Sequence, residues 1–87
     1  LEIVLYAKDR IMLIYAELTA LSDLRLMSRF MKENGIRVLS ADISSQQGGG
    51  LVSVVYRLKG DKGSPRCDEL VEKLAELEFV LNAEELR

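Results

Sequence analysis

The stretch Ile11–Leu18, IMLIYAEL, decides the fold of this chain. Read as the head of a helix continuing into the run behind it, it would make a rod of about 24 residues, twice the usual length. Glu17 and Asp23 would then crowd the rod's apolar face. Read as a strand, it sends Met12, Ile14, Ala16 and Leu18 to one side and Ile11, Leu13, Tyr15 and Glu17 to the other, because successive side chains alternate across a pleat. The strand is the better assignment, with Thr19-Ala20-Leu21 as its exit. Ahead of it, residues 1–10, LEIVLYAKDR, are mostly apolar apart from Glu2 and the knot Lys8-Asp9-Arg10 and form a linker or N-terminal extension. The domain proper is then 11–87. A start at Leu1, without the charged start and small-residue cleavage site of a signal peptide, leads us to expect a piece of a larger protein.

Downstream the punctuation is clear. Ser22 is an expected N-cap with Asp23 in the first turn. Asn34-Gly35 closes the helix, since glycine accepts the left-handed geometry of a helix end and Lys32 suits the negative end of the dipole. A first helix over 23–34 follows, with Leu24, Met27 and Met31 on its core face and Leu26 and Phe30 as a second ridge. Residues 36–45 read as a strand of imperfect alternation, 44–50 as a glycine-rich turn, and 51–58 as a strand with Val52, Val54, Tyr56 and Leu58 on one side. Ser64-Pro65 marks the start of a second helix over 65–76, with Cys67, Leu70, Val71 and Leu74 inward. Phe79-Val80-Leu81 is a short last strand, and Glu84-Glu85-Leu86-Arg87 an acidic, frayed end.

The order βαββαβ predicts an α+β, ferredoxin-like sandwich with a four-stranded antiparallel sheet and both helices on one face. The other face is then bare, and carries Ile11, Leu13, Tyr15 and Val55, with Ile36 and Val38 as possible edge members. A contiguous apolar patch of this kind marks a contact surface. Its cover is either residues 1–6, folded back, or another copy of the chain. A register slip of one residue would swap the two faces.

Composition removes several classes of function. A net charge of -2 and a pI near 5.1 argue against nucleic acid, which demands clustered Lys and Arg. The single cysteine, Cys67, closes no internal disulfide, and with no histidine there is no Cys/His zinc site, which fits a reducing compartment. Apolar runs such as 11–16 are about a third of a bilayer span.

The string MLIYAELTALSDLRLMSRFMKENGIRVLSADIS, the turn and strand after it, and the closing CDELVEKLAELEFVLNAEEL together resemble the C-terminal cytosolic domain of MgtC/SapB-family membrane proteins. That resemblance implies an ACT-like regulatory domain behind a bundle of membrane helices, on the cytoplasmic side of the bacterial inner membrane, in a protein linked to magnesium homeostasis. It implies as partner the parent's own membrane part or a second copy. A second resemblance is to amino-acid-binding ACT domains, whose first strand ends in D-R-x-G-L. Here Asp9 and Arg10 match, but Met12 stands where the glycine belongs and would obstruct close backbone approach to a ligand. An effector site in that alternative would use Asp9, Arg10 and Met12, or Ser22 and Asp23.

Nothing in the sequence points to catalysis. Gly48-Gly49-Gly50 lacks the spaced glycines and Lys-Ser/Thr of phosphate loops and joins strand to strand. Cys67 has no histidine to activate it. Asp42, Asp61 and Asp68-Glu69 are scattered rather than arranged as a calcium loop. The third strand carries only Tyr56, on its inner face, so the aromatic platform of an RNA-binding sheet is missing. We therefore expect no enzyme activity, no cofactor and no metal.

Overall fold

The computed structural model describes residues 11–44 and 50–86. The elements run β1 (Ile11–Leu18), α1 (Asp23–Glu33), β2 (Ile36–Ser44), β3 (Val52–Gly60), α2 (Cys67–Ala75) and β4 (Val80–Glu85). This is the expected βαββαβ order. The strands form one antiparallel sheet in the order β2-β3-β1-β4, consistent with a ferredoxin-like fold. Both expectations about residues 1–10, linker or folded-back cover, lie outside the described residues.

The central strands behave as their alternation dictates. On β1, Met12, Ile14, Ala16 and Leu18 are buried, and on β3 so are Val52, Val54, Tyr56 and Leu58. The two sets face each other in register, from Met12 opposite Leu58 to Leu18 opposite Val52. Met27 and Met31 of α1 and Leu70 and Leu74 of α2 close the same cluster from above, with Leu24, Phe30, Cys67 and Val71 packed at its margin. Burying apolar area on one side of each element is what selects these periodicities.

Four local readings need correction. Ile36 and Val38 do not join the bare face: they sit opposite Gly60 and Leu58, on the helix side, and Ile36 is buried in the core. The cause is a bulge between Val38 and Ser40, where Leu39 is an extra residue that inverts the alternation, so that Ala41 and Ile43 take the helix side beyond it. Ser22 makes no side-chain cap; the first helical amides, Asp23, Leu24 and Arg25, donate to the carbonyls of Ala20, Leu21 and Ser22. Asp23 instead turns back and accepts from Thr19 Oγ1 and from the Ala20 amide (3.0 Å), which fixes the β1–α1 junction.

The second helix starts at Cys67, two residues later than Pro65 signals, with Arg66 as N-cap and the Arg66 amide donating to Glu69 Oε1 at 2.9 Å. The C-terminus is no frayed tail up to Leu86. β4 reaches Glu85, and the Leu86 amide donates to the Leu13 carbonyl at 2.8 Å. At the end of α1 the expectation holds: Gly35 has φ +70° and its amide returns to the Lys32 carbonyl.

Candidate functional site

The helices cover one side of the sheet, and the register arranges the other in four cross-strand rows. At one end Arg37, Lys59 and Ile11 stand side by side. Next come Ser40, Arg57 and Leu13, extended by Leu86 through its hydrogen bond to Leu13. The third row is Asp42, Val55, Tyr15 and Glu84, and the fourth Ser44, Ser53, Glu17 and Asn82. Side chains directly opposite in an antiparallel pair share a face, so these rows are the outer surface.

Ile11, Leu13, Tyr15 and Val55 are thus brought together as expected. Ile11 and Leu13 remain 40% and 39% exposed, and Leu86 beside them 37%, so an apolar ridge of three large side chains faces solvent. Sequence reasoning missed Leu86 because Glu84 and Glu85 gave the end an acidic look, while its true signal is the ladder to β1. Tyr15 is half-buried at the centre; its hydroxyl donates to Glu17 Oε2 at 2.7 Å and lies 3.2 Å from Ser53 Oγ. A ring held at its polar tip presents apolar area with little rotamer freedom left to lose on contact.

Leu26 and Phe30 lie on α1, across the sheet from this ridge, and do not belong to the same surface. Leu26 is 40% exposed, but Phe30 is half-buried against the core. The two alternative positions for an effector lie at opposite ends of β1. Met12 is buried in the core near the start of β1, Ser22 and Asp23 follow its end, roughly 20 Å away along a strand rising about 3.3 Å per residue. Asp9 and Arg10 lie outside the described residues. The Asp23 carboxylate is already committed to Thr19 and Ala20.

Two concavities accompany the helices. An open groove of about 710 Å³ runs from Glu33 to the exposed side of α2, lined by Glu69, Glu72 and Glu76 with Lys62 and Lys73. A smaller cleft of about 150 Å³ lies between Met12, Gly60 and Cys67. Among the described residues no three His, Cys, Asp or Glu side chains are placed to hold a metal ion, and no helix is long and apolar enough to cross a membrane.

No family model matches the chain, and no curated protein matches it significantly.

Proposed function

We propose that this chain is a non-catalytic regulatory or protein-contact domain that works by docking its outer sheet face, with the Leu26 side of α1 as a second, separate contact. The observation that carries this is the ridge of Ile11, Leu13 and Leu86 around the tethered Tyr15, an apolar surface on the side of the sheet that the helices leave uncovered. Contiguous exposed apolar area is costly to maintain in water and is retained where a partner covers it.

The resemblance in sequence pattern supports a more specific setting: the cytosolic C-terminal domain of an MgtC/SapB-type membrane protein linked to magnesium homeostasis, on the inner side of the bacterial membrane. Its partners there are the parent's membrane part or a second copy. Docking would bias the parent between two states by binding one of them more tightly. The competing effector-binding ACT reading places its site near one end of β1 or the other, and calorimetric titration with a panel of amino acids tests it: saturable heat at micromolar ligand would favour it over ours.

A photo-crosslinking residue placed at Leu13 of the parent protein in cells tests the docking reading. We expect a discrete covalent adduct from Leu13 and none from the exposed helix position Glu72. Absence of any adduct from Leu13 would overturn it.

A further inference from the structure

The outer face is divided by charge as well as by polarity. Its first two rows hold Arg37, Lys59 and Arg57, while its last two hold Asp42, Glu84 and Glu17. The apolar Leu13, Val55 and Tyr15 straddle the boundary. A surface that is basic at one end, acidic at the other and apolar between is complementary to itself when turned end for end. We propose that the occupant of this face is a second copy of the chain, packed sheet on sheet with its strands running in the opposite direction; this rests on the docking reading above and specifies its partner.

The charge layout selects the symmetry. An isologous pair has a two-fold axis, and for two facing sheets that axis lies in the interface. If it ran along the strands, each row would face itself with the strand order reversed, so that Asp42 would meet the partner's Glu84 and the basic rows of the two copies would lie together. If it runs across the strands, the ends exchange: Arg57 comes over the partner's Val55, next to the partner's Asp42, and Leu13 crosses onto the partner's Tyr15. Facing sheets pack about 10 Å apart with strands within about 30° of alignment, which leaves room for these side chains to interdigitate.

The face measures about 19 by 23 Å from strand spacing and rise, roughly 400 Å² per copy. Stable pairs bury about 800 Å² per partner, so this pairing is weak in the free chain and gains from tethering in a larger assembly.

Sedimentation equilibrium on the 87-residue chain up to about 1 mM, using Arg57→Glu and Asp42→Arg, provides the test. Both positions are exposed, and circular dichroism checks that each variant folds. The wild-type chain is expected to show a monomer–dimer equilibrium, and each variant alone a dimer Kd raised about tenfold or more, as like charges now meet across the seam. An equimolar mixture of the two variants should recover wild-type affinity, because reversed charge at position 57 of one copy then meets reversed charge at position 42 of the other. Repair within a single chain does not produce that recovery. A strictly monomeric wild type at about 1 mM, or a mixture no tighter than either variant alone, would overturn the proposal. So would a Leu13 adduct in cells that contains only a different protein, an outcome that leaves the docking reading standing.

Discussion

Tyr56 shows what burial does to a single side chain. It lies on the inner face of β3, 2% exposed, opposite Ile14 on one side and Ala41 on the other. Burial disfavours its phenolate and pushes its pKa up from 10.0 to about 12. The unfolded chain ionises near pH 10, so its contribution to stability is complete below that pH and is lost as pH rises toward 12. Wild-type stability should fall by roughly 1.4 kcal/mol per pH unit in this window relative to Tyr56→Phe. Urea unfolding of both proteins at pH 9 and pH 11 measures it; equal pH dependence would show that Tyr56 is not protected. Asp23 teaches a different lesson at the same scale. Its negative charge near a helix start was legible, but the structure spends its carboxylate on Thr19 and Ala20, a junction contact that no spacing rule encodes.

At the scale of elements, legibility followed burial. β1 and β3 are central and covered by helices on one side only, so their alternation is strict and the sequence alone identifies the buried face of each. β2 and β4 are edges. β2 hides one parity change behind Leu39, and the residues beyond it, Ala41, Asp42, Ile43 and Ser44, are all exposed, so hydrophobicity no longer reports the face. β4 carries its own irregularity near Val80, and only Val80 and Ala83 touch the core, which made a six-residue strand look like three residues and a tail. The bulge yields a prediction. Removing Leu39 leaves Val38 opposite Leu58 and Ser40 opposite Arg57, both already on their native faces. The deletion should therefore keep a cooperative thermal transition, with Tm shifted by about 5 °C or less, equivalent to about 1 kcal/mol. Deleting Tyr15 should abolish the transition, because half of β1 then presents its core residues to solvent. Loss of folding in the Leu39 deletion would mean that the bulge itself is required.

For the whole molecule, one layer of helices over one side of a four-stranded sheet leaves a second side to be accounted for. The sequence located most of that surface, since Ile11, Leu13, Tyr15 and Val55 follow from the strand assignment alone. It missed Leu86 and the division of charge, because both arise from the pairing of strands distant in sequence rather than from any local pattern. Helical spacing puts Leu26 and Phe30 on one ridge of α1, but Phe30 serves the core more than the surface.

The central claim is that the outer sheet face makes the contacts. The most direct measurement is a concentration series of amide NMR spectra on the wild-type chain and on Leu13→Glu, a substitution on the solvent side that should leave the fold intact. Our account predicts wild-type shifts that grow with concentration and cluster on β1, β3 and the end of β4, and that vanish in the variant. Shifts confined to α1 and α2, or equally large in Leu13→Glu, would contradict it.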